Sequence, residues 1–181
     1  GADGPLLAGL FRHAVDTGRK VRAETAIGRG SLSFSHAALE LVRERTAGSL
    51  AGQHVVLVGA GQLGTSMGQA LAGLAEADRP ARLTLVNRST ERAEELSSTL
   101  GNLVDEVLGF DDLAAALPDA DLLIVAVEAA EPFVDEALVG DRTTKPLLVA
   151  DLGVPRTVAP SLRGAKGVAV IDVSDLSAGS V

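Results

Sequence analysis

The chain has 181 residues, of which 46% are hydrophobic and 22% are charged, a composition that excludes an intrinsically disordered protein. It contains no cysteine, which excludes disulfides, thiolate metal sites and a cysteine nucleophile within this sequence. The net charge of −8 is concentrated after residue 54, where nine Lys/Arg face nineteen Asp/Glu, so this part disfavours a polyanion.

Residues 1–49 are predicted to form a helical arm of two helices. The first is expected to end at Gly18 and has six apolar residues at helical spacing: Leu6, Leu7, Leu10, Phe11, Ala14 and Val15. A glycine-rich turn is predicted at 28–30. The second helix is expected to begin with Ser33 as its N-cap and to end near Gly48. Its predicted apolar face consists of Ala37, Ala38, Leu41 and Val42.

From Leu50 onward, short apolar runs alternate with helical stretches. Five runs indicate buried strands, at 55–58, 83–86, 122–127, 147–150 and 168–171, and a weaker sixth lies near 104–108. Helices are predicted at 62–77, 90–100 and 111–117. This alternation is typical of an α/β fold. We therefore expect a Rossmann-like doubly wound parallel sheet over residues 50–181, preceded by the N-terminal helical arm.

A glycine-rich turn joins the first predicted strand to the helix after it. Gly59, Gly61 and Gly64 form a GxGxxG pattern between that strand and that helix, which is the context that dinucleotide binding requires. The first glycine permits a tight turn, the second lets the backbone approach a pyrophosphate, and the third allows close helix–strand packing. The candidate cofactor-binding residues here are Gly59, Ala60, Gly61, Gln62, Leu63 and Gly64. The alternative is a turn of the same shape that binds no ligand.

The end of the second strand indicates which dinucleotide is bound. NAD-preferring domains carry an acidic residue there for the ribose 2′-hydroxyl, whereas this chain has Asn87, Arg88 and Ser89, with Arg92 one helical turn on. A guanidinium with nearby hydroxyls suits a 2′-phosphate. Asn87 lies 28 residues after Gly59, and the turn at 77–81 is expected to absorb the excess over the usual spacing. These residues predict NADP(H) as the cofactor; the alternative is that Arg88 only caps a surface turn.

Two loops after later strands complete the candidate site. Val127 begins the loop at 127–132, where a nicotinamide ring is expected, and it is included among the cofactor-binding residues. The loop at 151–156 follows the next strand, and Arg156 in it would face a substrate carboxylate or a phosphate. For both loops, the alternative is an ordinary connection between a strand and the next element, with no role in ligand binding.

The titratable residues predict neither a metal site nor a catalytic group. His13, His36 and His54 have no metal-ligand spacing, and the first two are expected on helix surfaces. Acidic pairs at 94–95, 105–106 and 111–112 are interpreted as solvated faces and helix ends. The basic run Arg19, Lys20 and Arg22 suits either RNA phosphates or a solvated loop, and both interpretations stay open.

Taken together, these segments resemble glutamyl-tRNA reductase, the enzyme that begins five-carbon tetrapyrrole (porphyrin) synthesis. The run at 18–25 (GRKVRAET) resembles the family's GKRVR-x-ET, and the run at 33–41 (SFSHAALEL) resembles its SVSxAAVEL helix. The glycine turn, the segment at 87–89, the residues at 151–156 and those at 171–176 follow in the same order. The resemblance thus extends over nearly the whole chain.

In that family a cysteine thiolate attacks the ester of glutamyl-tRNA, and NADPH reduces the resulting thioester to glutamate-1-semialdehyde. The resemblance implies that this chain is the NADPH-binding portion of such an oxidoreductase, with glutamyl-tRNA as a partner and a homodimer formed through a further C-terminal region. Without a cysteine the chain is not expected to be active alone, so it is either a fragment or a natural stand-alone relative.

Two other functions stay open. One is a stand-alone NADP-dependent reductase of a small carbonyl or imine, and the other is a non-enzymatic NADPH-binding module. No apolar run approaches the roughly 18 residues that cross a bilayer, and no signal peptide opens the chain, so we expect a cytoplasmic protein without a membrane partner.

Overall fold

The computed structural model describes residues 27–178. The first predicted helix of the arm, the basic run at 19–22 and His13 lie outside this range. The described chain begins with helix α1, Ile27–Arg45. None of the helices within 27–178 is long and apolar enough to cross a membrane.

Six parallel strands form one sheet, which confirms the predicted α/β class. In chain order they are β1 His54–Val58, β2 Arg82–Asn87, β3 Glu106–Gly109, β4 Leu122–Val125, β5 Leu147–Asp151 and β6 Val168–Asp172. Their order across the sheet is β3-β2-β1-β4-β5-β6, so the order reverses between β1 and β4. At such a switch point the connections leave in opposite directions and a crevice opens at the carboxyl ends of the strands.

In the part of the chain that the structure describes, α1 is followed by five helices: α2 Gln62–Ala72, α3 Thr90–Leu100, α4 Leu113–Ala116, α5 Glu136–Val139 and α6 Val173–Ala178. Short 3₁₀ segments lie at Glu76–Asp78, Gly101–Leu103, Phe110–Asp112 and Pro160–Gly164. The core forms two clusters, one on each side of the sheet. On the first side lie apolar residues of α1, α2 and α3, and on the second lie those of α4 and α5. Consecutive residues of β1 alternate between the clusters, because side chains alternate across a strand.

Helix α2 is shorter than predicted, since it ends at Ala72 and not near residue 77. Gly73 occupies its C-cap, and glycine is a poor helix former. Arg79 then donates hydrogen bonds from its guanidinium to the carbonyl oxygens of Ala72 (2.7 Å) and Leu74 (3.1 Å). A helix end leaves carbonyls without partners, so this arginine stabilises the early stop.

Helix α1 differs from the prediction in both its start and its face. It is already helical at 28–30, where a turn was predicted, and Ser33 lies exposed inside it instead of capping it. Ala37 is exposed, while Leu39 is buried in its place. Packing against α2 decides this orientation, and the hydroxyls of Ser31 and Ser66, 3.0 Å apart, join the two helices.

His54, at the start of β1, makes stability depend on pH. Its Nε2 lies 2.9 Å from the Thr84 hydroxyl, and the side chain is buried. Burial lowers the pKa of His54, and the charge of Arg82 lowers it further. The pKa of a histidine in the unfolded chain is about 6.5. As the pH falls through that value, the unfolded state therefore binds a proton more readily than the folded state does.

We therefore expect the melting temperature to decline as the pH falls below about 6.5. Calorimetry of wild type and His54→Gln across pH 5 to 8 measures this, and the variant should lose part of the slope. His36→Gln serves as a matched control, because His36 is exposed on α1, as predicted. Equal slopes in wild type and His54→Gln would contradict the assignment.

Candidate functional site

A crevice lies at the carboxyl ends of β1, β2, β4 and β5. It is a cavity of about 590 Å³, within the range of cofactor sites. Its walls include the predicted residues Gly61, Gln62, Leu63, Asn87, Arg92 and Val127. Ser31 and Phe34 of α1 also line it, although no motif or periodicity predicts them there. Their positions depend on how α1 packs on α2, which is a tertiary contact without a local signal.

Two glycines of the turn are required by the fold itself. Gly59 has a φ of +114°, and a Cβ on it would lie 2.5 Å from the carbonyl oxygen of Ala126. A Cβ on Gly64 would lie only 2.0 Å from the carbonyl oxygen of Gly59. The turn and helix α2 therefore pack so closely that there is no room for a Cβ at either position.

Gly61 is different, because its space is open. A Cβ there would meet no atom of residues 27–178 within 4 Å, and its φ of −79° suits any residue. It is the N-cap of α2, and no side chain caps this helix end. The first turn of α2 contains no acidic residue. The first N–H groups of a helix have no partner within it, and its dipole is positive there, so this end suits an anion.

Asn87 braces the glycine turn from the end of β2. Its Oδ1 accepts a hydrogen bond from the N–H of Ala60 (3.1 Å), and its Nδ2 donates to the carbonyl of Ser89 (2.9 Å). The N–H of Ala60 is therefore already paired within the protein. A single amide side chain thus joins the turn predicted to bind the pyrophosphate to the segment predicted to bind the 2′-phosphate.

The residues after Asn87 begin helix α3. Ser89 is its N-cap, and its hydroxyl oxygen accepts a hydrogen bond from the N–H of Arg92 (3.3 Å) while donating to Glu91 (2.9 Å). Arg88 is exposed, and its guanidinium carbon lies 5.5 Å from the ring centroid of Phe110. Two guanidinium-bearing residues therefore lie at the tip of β2.

The loop after β5 is held by its own buried carboxylate. Asp151 accepts hydrogen bonds from the N–H groups of Gly153, Thr157 and Val158 and from the Thr157 hydroxyl, at 2.7 to 3.1 Å. Within this loop the Val154–Pro155 peptide bond is cis. The sequence placed this loop at the ligand edge, and Gly153 and Val154 do line the cavity.

Arg156, expected to face a substrate, instead contacts the buried carboxylate of Asp172 on β6 at 3.2 Å. Arg163 and Ser174 contact the same carboxylate. Burial raises the pKa of Asp172, but the Ser174 hydrogen bonds and the two arginines outweigh it and hold the pKa below its usual range. This contact favours a structural role for Arg156. Across residues 27–178 no group of three or more His, Cys, Asp or Glu is placed to hold a metal ion.

The sheet order, the glycine turn and the crevice at the switch point define a Rossmann-like domain. A family model described as Shikimate / quinate 5-dehydrogenase matches residues 40–178. The chain belongs to this family.

Within it, the chain is similar to glutamyl-tRNA reductases, which confirms the resemblance seen in the sequence. That of Archaeoglobus fulgidus is 37% identical over 180 residues, which are 97% of this chain and 39% of that protein. The solved glutamyl-tRNA reductase from Methanopyrus kandleri is 32% identical, with a TM-score of 0.66 over 96% of this chain and 43% of that one. The chain spans about two fifths of the length of the curated relatives it matches.

A separately solved domain has nearly the same extent. It is the nucleotide binding domain of the glutamyl-tRNA reductase from Thermoplasma volcanium, 18% identical, with a TM-score of 0.58 over 81% of this chain and 90% of that one. At this identity the likeness shows the fold alone.

Proposed function

We propose that the crevice binds NADPH, with the pyrophosphate at the N-terminus of α2 and the adenosine 2′-phosphate at Arg88, Ser89 and Arg92. The observation that carries this proposal is the contrast among the three glycines. At Gly59 and Gly64 an added Cβ would collide with backbone atoms, whereas Gly61 opens onto the cavity. A backbone that leaves space at a helix N-terminus suits a phosphate group.

The charges at the tip of β2 support the phosphorylated cofactor. A ribose 2′-hydroxyl is recognised by a carboxylate, and here the strand ends in the amide Asn87 and is followed by Arg88. A guanidinium forms charge-assisted, two-pronged hydrogen bonds with a phosphate. Ser89 and Arg92 stand in the same helix turn and would add a hydroxyl and a second positive charge.

Val127 and Glu128, after β4, line the same crevice together with Gly153 and Val154. When bound there, the cofactor supplies a hydride. The loops after β4 and β5 would then orient the nicotinamide end and shield it from water. The hydrogen bonds to Asp151 hold the second of these loops in place.

For the whole protein we propose the activity of a glutamyl-tRNA reductase, with glutamyl-tRNA as substrate and glutamate-1-semialdehyde as product. The sequence identity of 37% along 97% of this chain supports this assignment. Since these 181 residues contain no cysteine, the nucleophile that forms the thioester would come from another part of a longer protein. A homodimer would form through regions outside this chain.

Two measurements test these proposals separately. Titration of the purified chain with NADPH and with NADH should give tighter binding of NADPH; equal affinity, or tighter NADH, refutes the 2′-phosphate site. The protein encoded by the complete open reading frame is then assayed for turnover of glutamyl-tRNA and of simple aldehydes. Reduction of aldehydes alone supports a stand-alone reductase, and binding without turnover of either supports a cofactor-binding module.

Asn87→Asp should reduce the preference for NADPH. The aspartate keeps an oxygen acceptor for the N–H of Ala60, but it places a carboxylate where the 2′-phosphate is proposed to lie. We expect weaker NADPH and equal or tighter NADH, measured by fluorescence titration. Asn87→Ala is the matched control: it removes the brace without adding charge, so it should weaken both cofactors alike. A preference unchanged in Asn87→Asp would count against the proposed position of the phosphate.

A further inference from the structure

A second cavity, of about 230 Å³, lies beside the main crevice at the tip of β2. One part of its wall is polar, with two arginines, Arg88 and Arg92, and one acidic residue, Glu128; Ser89 also lies there. Another part is aromatic, with Phe110 and Phe133. Neither phenylalanine belongs to the glycine turn or to the segment after β2, so nothing in the sequence pattern connects them with a cofactor.

The strand register brings Arg88 and Phe110 together. Asn87 of β2 is paired with Gly109 of β3, and both are the last residues of their strands. Arg88 and Phe110 are therefore the first residues beyond two neighbouring parallel strands. The Arg88 guanidinium carbon lies 5.5 Å from the Phe110 ring centroid, within the range of a cation–π contact.

The Phe110 ring is held from its other sides. It is half-buried and packs against the second core cluster. Its centroid lies 5.1 Å from that of Phe133, with the two rings inclined by 59°. Such tilted pairs are a favourable aromatic geometry. Phe110 is therefore held by its own packing, and the exposed Arg88 side chain lies over its ring.

We propose that Phe110 is a positioning residue that determines cofactor specificity by orienting Arg88 toward the 2′-phosphate. The guanidinium carbon lies over the ring, so the ring restricts the guanidinium from that side and leaves the N–H donors that point away from it available to phosphate oxygens. Arginine loses much rotamer freedom when it is immobilised, and this loss opposes binding. Resting on the ring restricts Arg88 before the cofactor arrives. This inference rests on the proposed NADPH site.

The test uses the ratio of the NADH to the NADPH dissociation constant, measured on the full 181-residue chain. This ratio isolates the contribution of the 2′-phosphate, because everything else in the two cofactors is the same. Phe110→Leu keeps an apolar side chain but removes the π face, and it should lower the ratio about two- to fivefold. Phe110→Tyr keeps the ring and should retain the wild-type ratio. A core-packing role alone would change stability and leave the ratio unchanged.

Two controls make the test specific. In an Arg88→Ala background, Phe110→Leu should cause no further change in the ratio, because the group that it positions is gone. Leu138→Ala removes an apolar side chain that packs against the same second core cluster but lines neither cavity, so it should leave the ratio unchanged. If melting curves show Phe110→Leu to be unfolded, Phe110→Met replaces it.

The outcomes separate this inference from the proposed function. If the wild-type chain prefers NADPH and Phe110→Leu leaves the ratio unaltered, the inference is wrong, but the proposed NADPH site is not affected. If Phe110→Leu lowers the ratio by the same factor in the Arg88→Ala background as in the wild-type chain, the inference is also wrong. A wild-type chain without any preference for NADPH refutes the site itself, and the inference with it.

Discussion

Arg88→Ala is expected to weaken NADPH binding by about 1.5–3 kcal/mol, which is roughly a tenfold to 150-fold rise in its dissociation constant. The magnitude is that of hydrogen bonds made to a charged group. NADH lacks the 2′-phosphate, so its affinity should stay at the wild-type value. Isothermal titration calorimetry with both cofactors measures the effect, and the preference for NADPH should be largely lost.

Arg45→Ala is the matched control for this prediction. It removes the same charge from an exposed arginine, but Arg45 lies with Leu147 and Val168 at the amino ends of the strands, opposite the crevice. It should bind NADPH as wild type does. If Arg88→Ala weakens NADPH and NADH equally, Arg88 does not contact the 2′-phosphate, and the charge at the tip of β2 has another role.

Gly64→Ala is expected to destabilise the fold by about 3 kcal/mol and to abolish cofactor binding. The added Cβ would lie 2.0 Å from the carbonyl oxygen of Gly59, and this neighbour is backbone inside the turn, which cannot rotate away. Helix α2 must then move away from β1, and the turn opens. For a chain of this size the melting temperature should fall by about 6–12 °C, measured by circular dichroism.

Gly61→Ala adds the same methyl group three residues earlier, where no atom of the described residues lies within 4 Å. Its stability should remain within about 0.5 kcal/mol of wild type. The methyl group would project into the space assigned to the pyrophosphate, so NADPH and NADH should both bind more weakly and by the same factor. If Gly61→Ala binds both cofactors normally, the pyrophosphate lies elsewhere. If Gly64→Ala is as stable as wild type, the turn tolerates a wider separation between α2 and β1.

The sheet was predictable from the sequence because parallel strands buried on both faces leave continuous apolar runs. Strands β1, β4 and β5 are buried at every position, and each begins within one residue of its prediction. The weak run near 104–108 corresponds to β3 at Glu106–Gly109, an edge strand that is only half-buried and so carries a fainter signal. The helix after the glycine turn began where predicted, at Gln62, since Gly61 ends the turn.

Helix ends and helix faces were less predictable, because they depend on distant partners. Arg79 stabilises the early end of α2 from beyond the helix, and α2 in turn selects which side of α1 is buried. The glycines at 28–30 oppose a helix by local propensity. Residues 27–30 are nevertheless the first turn of α1, a helix that packs on α2, and each glycine opposes it by only about 1 kcal/mol.

By itself the sequence determined the order of strands and helices, the glycine turn between β1 and α2, and the positively charged tip of β2, because each of these depends on neighbours along the chain. Only the tertiary structure decided that Asn87 braces Ala60, that Ser31 and Phe34 reach the crevice, and that Phe110 lies under Arg88. These contacts follow from strand register and helix packing. Such relations join residues far apart in the chain and leave no periodic pattern from which they could be predicted.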